Sequence, residues 1–152
     1  MSLSRAASVL WALAIALGVT PAVHAASQTR PVQFAKGTSA ATIKGSVTGY
    51  DTMDCTLRAA AGQTMTVSMK ASHAGAFFNV LPPGSKDVAI YNSSINGNDY
   101  SGTLEKAGAY TIRVYLMRNE ARRGVQAAYT LNVGIADAAA SGDTKVAGTK
   151  FH

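Results

Sequence analysis

The stretch AYTIRVYL, residues 109–116, places an apolar side chain at every second position. Because successive side chains of a β-strand point to opposite faces, this alternation predicts a strand with one buried face. Arg113 falls on the polar face, where we expect a charged partner on a neighbouring strand. The residues predicted to be buried are Tyr110, Ile112, Val114 and Leu116.

Three other stretches repeat this period of two: ATIKGSVTGY (41–50), QTMTVSMK (63–70) and AYTLNV (128–133). Turn-forming residues separate the strands, as in LPPGS (81–85) and in NGND (96–99), which we interpret as a hairpin-type turn. Long helical patterns are missing from the sequence. The fold class predicted is all-β, an antiparallel β-sandwich of roughly eight short strands.

The chain of 152 residues divides into three parts. A basic start, an apolar run too short for a membrane span and the small residues of PAVHA are typical of a Sec-type signal peptide over residues 1–25. Cleavage is expected between Ala25 and Ala26, which leaves no membrane segment. Residues 26–135 form the predicted sandwich domain. Residues 136–152 are small and polar, typical of a flexible tail or linker.

Charge and cysteine content narrow the function classes. The net charge of +6 fits an acidic partner, a nucleic acid or an anionic surface and does not choose among them, although export argues against nucleic acid. Cys55 is the single cysteine, so an internal disulfide is impossible. We expect it to be a small buried residue on a strand, with pairing between two chains as the alternative.

Sequence motifs for catalysis or metal binding are missing. The chain contains no Cys-x-x-Cys, His-Glu-x-x-His, P-loop or Gly-x-Ser-x-Gly pattern. Asp51 and Asp54 have an odd spacing, which sends strand side chains to opposite faces and argues against a catalytic carboxylate pair. His73 is expected in a solvent-exposed loop. We therefore predict no catalytic residue, no metal and no cofactor.

Four stretches together resemble the family of bacterial inhibitors of g-type (goose-type) lysozyme. The third of them carries the family's Gly-x-Tyr-x-Leu/Ile-Arg strand followed by Arg-Asn-x-Ala-Arg. The resemblance implies a non-enzymatic, periplasmic β-sandwich that binds g-type lysozyme and blocks it. The stretches are VQFAKGTSAATIKGSVTGYD (32–51), AAAGQTMTVSM (59–69), LEKAGAYTIRVYLMRNEARR (104–123) and YTLNVGI (129–135).

The same resemblance implies partner-binding roles for Tyr50, Arg118, Asn119 and Arg122. An arginine guanidinium suits a lysozyme cleft, because it is always charged and makes bidentate hydrogen bonds to a carboxylate. If the loop forms one helical turn, Arg118 and Arg122 share a face. A tyrosine can fill an apolar cleft and form a hydrogen bond at its tip.

Other interpretations remain open from the sequence. Arg118 and Asn119 could be structural, with the arginine paired to Glu120 or Asp51 or capping loop carbonyls, and Tyr50 could be a half-buried aromatic residue at a sheet edge. Arg123 is expected to be solvated. The alternative function is a non-catalytic, exported glycan-binding or cell-wall-binding module of the prepeptidase accessory type. An exported hydrolase is a third hypothesis, and it lacks a constellation of acid and base residues.

Overall fold

The computed structural model describes residues 24–138, together with Gly18. Within this range the chain forms nine strands and two short helices. In chain order they are β1 (Ser27–Pro31), β2 (Ala40–Thr48), β3 (Thr52–Ala59), β4 (Thr64–Ala71), β5 (Ala76–Leu81), β6 (Tyr91–Asn92), α1 (Ser93–Asn96), β7 (Asp99–Thr103), β8 (Gly108–Leu116), α2 (Arg118–Arg122) and β9 (Gln126–Ala136).

Two sheets make up the domain. One has the strand order β1-β3-β8-β5-β6 and the other has the order β2-β9-β4-β7. All pairs except β1 with β3 are antiparallel. The predicted all-β sandwich is therefore confirmed, with β8 and β9 as interior strands of their sheets.

The core lies between the two sheets and follows the period-two alternation. Each residue predicted to be buried on β8 is at most 5% exposed, and Met65, Val67, Leu131 and Val133 are equally buried. Alternation produces this core because each sheet turns one set of side chains away from water. Cys55 is fully buried on β3, as predicted.

The first strand departs from the predicted antiparallel arrangement. β1 pairs with β3 in parallel, with Ser27 opposite Thr52. The intervening strand β2 belongs to the other sheet and reverses the chain direction. β1 and β3 therefore run the same way when they meet. The Ala26 amide also donates to Asp51 Oδ1 at 2.8 Å.

The prediction of a hairpin-type turn at residues 96–99 was wrong. Asn92 Oδ1 accepts from the amide of Ser94 at 3.1 Å and caps helix α1, which ends at Asn96. Gly97 and Asn98 then lead into β7, so this segment crosses from one sheet to the other. A hairpin turn joins two paired strands of one sheet, whereas the strands on either side of this segment, β6 and β7, lie in different sheets.

The predicted ends of the domain are only partly described. β9 continues to Ala136, and Asp137 Oδ1 accepts from Gln63 Nε2 at 3.1 Å. Residues 139–152 of the predicted tail lie outside the described residues. The predicted signal peptide also lies outside them, apart from Gly18 and residues 24–25.

Candidate functional site

Three loop segments meet at one end of the sandwich. They are the β2–β3 turn (residues 49–51), the β4–β5 turn (residues 72–75) and the β8–β9 connection (residues 117–125), which contains α2. The Gly49 amide donates to the Val125 carbonyl at 2.9 Å, and the Met117 amide donates to the Gly75 carbonyl at 2.9 Å. We call these three segments together the arginine end.

Helix α2 carries three of the four predicted contact residues, namely Arg118, Asn119 and Arg122. Arg118 and Arg122 are four positions apart on this helical turn, so they lie on one face, and both are exposed. Neither forms an ion pair with any side chain in the described part of the chain. Pairing of Arg118 with Glu120 or Asp51 is thus contradicted. Gly124, with φ of 67°, supplies the left-handed residue that ends the helix.

A surface depression of about 460 Å³ joins the β2–β3 turn to the start of α2. Tyr50, Asp51, Tyr115 and Arg118 all contribute to its lining. Tyr50 is 54% exposed, which is unusual for a large aromatic side chain. The structure therefore brings Tyr50 and Arg118 to one concave surface, although they are far apart in sequence.

Arg113 also lines this depression but is engaged within the domain. Its Nε and Nη2 donate to the two carboxylate oxygens of Asp54 at 2.7 and 2.9 Å, and Nη1 donates to the Lys86 carbonyl at 3.1 Å. The hydrogen bond to Asp54 raises the pKa of Arg113 above its ordinary value. Arg113 and Asp54 are opposite each other in the β3–β8 register, so the predicted cross-strand charge pair is confirmed.

Asn119 occupies a different position from the arginines. It is exposed and lies on α2, but its Nδ2 donates to Glu120 Oε1 at 3.0 Å. Part of its hydrogen-bonding capacity is thus used inside the domain. Asn119 and Arg122 do not contribute to the lining of the depression beside Tyr50.

The sequence prediction missed a buried carboxylate on the inner face of α2. Glu120 is 8% exposed and forms an ion pair with Arg123, and His73 Nε2 lies 3.4 Å from its Oε2. His73 is half-buried rather than fully exposed to solvent. Arg123 is exposed, as expected, and also pairs with Glu120. The spacing of Glu120 and Arg123 could have indicated this pair, because residues three apart on a helix are neighbours.

The described residues offer no group of three or more His, Cys, Asp and Glu side chains arranged to hold a metal ion. Over the same part of the chain, no helix has the length and apolar character needed to cross a membrane. The arginine end carries exposed arginines, the exposed ring of Tyr50 and a shallow surface depression.

The fold and this exposed cationic end define a binding protein built on a β-sandwich. No family model matches the chain. An inhibitor of g-type lysozyme from Escherichia coli K12 is 33% identical over 121 residues, which cover 77% of this chain and 88% of the relative. The chain belongs to the family of inhibitors of g-type lysozyme. This membership confirms the prediction that it is not an enzyme.

Two solved structures bear on the fold. PliG of Aeromonas hydrophila, described as a periplasmic lysozyme inhibitor of g-type lysozyme, is 45% identical with a TM-score of 0.70, covering 74% of this chain and 100% of that chain. A pre-peptidase C-terminal domain of collagenase from Bacillus anthracis is 20% identical with a TM-score of 0.50, covering 72% and 96%. The second likeness shows a shared fold alone.

Proposed function

We propose that this protein is a periplasmic inhibitor of g-type lysozyme and that its arginine end blocks the substrate cleft of the enzyme. The exposed pair Arg118 and Arg122 is the observation that carries this proposal. Family membership supports the inhibitory activity, and the name of the Aeromonas relative supports the location and the target.

The chemistry of the two surfaces is complementary. A glycoside hydrolase cleft is lined by carboxyl groups that act on the glycosidic bond. Arg118 and Arg122 present guanidinium groups on one face of α2, unpaired with any described side chain. Each can therefore donate two parallel hydrogen bonds to a carboxylate without first breaking an internal ion pair.

Tyr50 complements the arginines. Its ring is exposed beside Arg118 at the edge of the depression, where it can pack against apolar walls of a cleft while its hydroxyl forms a hydrogen bond. We assign Asn119 a smaller contribution to binding, because its amide already donates to Glu120. The net charge of +6 would also speed the encounter with an acidic cleft at low salt.

Alanine substitutions at the two free arginines test the proposal. Removing an arginine that pairs with a desolvated carboxylate costs about 2–5 kcal/mol of binding free energy. We therefore expect Arg118→Ala and Arg122→Ala each to raise the inhibition constant for a g-type lysozyme by at least about tenfold. Thermal unfolding of both variants should match that of the unsubstituted protein.

Arg58→Ala is the matched control. Arg58 is exposed on β3, near the end of that strand opposite the β2–β3 turn, and it forms no ion pair with a described side chain. Its removal should change the binding free energy for g-type lysozyme by less than about 1 kcal/mol. Equal inhibition by all three variants would exclude the arginine end from the contact.

The alternative function, binding of cell-wall polymer, predicts a different result. Lysis of a cell-wall substrate by goose-type and chicken-type lysozymes would be followed with and without the protein. Selective protection against the goose-type enzyme supports inhibition. Sedimentation of the protein with peptidoglycan, with unchanged enzyme rates on a soluble substrate, would favour the binding module.

A further inference from the structure

Glu120 lies on the buried face of α2 and connects the helix to the neighbouring β4–β5 turn. Asn119 Nδ2 donates to its Oε1 at 3.0 Å, while Arg123 and His73 approach its Oε2. His73 Nδ1 accepts from the Gly75 amide at 3.0 Å, and its Nε2 lies 3.4 Å from Glu120 Oε2. The carboxylate thus joins residues of two separate loops.

Helix α2 depends on such contacts for its position. It has only five residues, and its N-cap Met117 forms no side-chain hydrogen bond to the first turn. A helix this short is unstable without tertiary packing. Within it, only Glu120 and Ala121 are buried, so these two side chains attach the helix to the domain.

The burial of Glu120 also sets the direction of the two free arginines. Side chains two residues apart on an α-helix are related by a rotation of about 200° around the helix axis, so they point to nearly opposite sides. Arg118 and Arg122 are each two positions from Glu120, so an inward Glu120 turns both outward. Arg123 lies three positions from Glu120 and forms an ion pair with it. Arg123 is therefore paired inside the domain, unlike Arg118 and Arg122.

We propose that Glu120 is a positioning residue for lysozyme binding. Its buried carboxylate fixes α2 against His73 and the β4–β5 turn, engages Arg123, and so orients Arg118 and Arg122 toward the partner. This inference rests on the proposed function for its binding consequence. The fixing of α2, in contrast, is a property of the free protein.

The test uses Glu120→Gln, which keeps the shape of the side chain but removes its charge. Hydrogen exchange of the free protein would follow the Ala121 and Val125 amides, which donate to carbonyls at 2.8 and 3.2 Å within the β8–β9 connection. We expect exchange at these amides to accelerate by about tenfold as α2 loosens. Glu105→Gln, at the exposed glutamate, is the control and should leave exchange unchanged.

A double-mutant cycle then separates positioning from a purely structural role. Arg118→Ala would be measured alone and in the Glu120→Gln background, with affinity for g-type lysozyme as the readout. If Glu120 orients Arg118, the loss caused by Arg118→Ala should shrink by about threefold or more in that background. Multiplicative, independent losses would overturn the proposal, as would unchanged exchange in α2.

The outcomes distinguish the two proposals. If the unsubstituted protein does not bind g-type lysozyme, the proposed function fails, and hydrogen exchange alone still decides whether Glu120 fixes α2. If it binds and the Glu120→Gln variant exchanges and binds like the parent, only the role of Glu120 fails. Should Glu120→Gln prove unfolded, Arg123→Gln, at an exposed residue, removes the same ion pair and should accelerate the same amides.

Discussion

Substitution of Gly75 by alanine should disturb the arginine end from the side of the β4–β5 turn. A Cβ atom at this position would lie 2.5 Å from Glu120 Cγ and 3.2 Å from His73 Nδ1. Two non-bonded carbon atoms prefer about 3.5–4.0 Å, so Glu120 Cγ would have to move by about 1 Å. Glu120 has little room to move, because it is buried and held by Asn119 and Arg123.

The magnitude follows from two opposing effects. Overpacking of a buried site costs about 1–3 kcal/mol of unfolding free energy. The loss of chain freedom in the unfolded state returns about 0.4–1 kcal/mol when glycine becomes alanine. The net loss for Gly75→Ala is thus about 1–2 kcal/mol, which lowers the melting temperature of a domain of this size by about 4–8 °C.

Thermal unfolding by circular dichroism measures this loss, and a second background tests its cause. Glu120→Ala removes Cγ, so the closest remaining neighbours of the new Cβ are His73 Nδ1 at 3.2 Å and Glu120 Cβ at 3.4 Å. Adding Gly75→Ala to that variant should cost less than about 0.5 kcal/mol. An equal cost in both backgrounds, or a higher melting temperature for Gly75→Ala alone, would refute the steric argument.

Two further predictions concern the strands. Burial raises the pKa of the Cys55 thiol to about 11, so the folded state retains this proton and loses stability as the pH rises from about 9 to about 11. Urea unfolding measures how far the free energy of unfolding falls when the pH is raised to about 10.5. This decrease should be about 2 kcal/mol smaller in Cys55→Ala than in the unsubstituted protein. Asp54→Asn breaks the bidentate contact with Arg113 and should cost about 1–2 kcal/mol, since hydrogen bonds between charged groups are the stronger ones. Asp99→Asn, at an exposed residue, is its control and should cost less than about 0.5 kcal/mol; similar urea midpoints for the two aspartate variants would contradict this reasoning.

The sequence by itself determined which side of each principal strand faces the core. Alternation along β8 predicted that Tyr110 and Ile112 would be buried, and that Arg113 would point to the polar face and pair across strands. Such predictions succeed because the direction of a strand side chain depends on its own position in the pleat. The helical spacing of Arg118 and Arg122 was available from the sequence for the same local reason.

The tertiary structure alone decided which distant segments meet. The hydrogen bond between Gly49 and Val125 brings Tyr50 beside the arginine helix, and Gly75 leaves space for Glu120 on the inner face of that helix. The parallel pairing of β1 has the same origin, because it depends on the path of β2 through the opposite sheet. Periodicity records how each residue faces its own strand or helix, whereas contacts between loops depend on how two sheets pack.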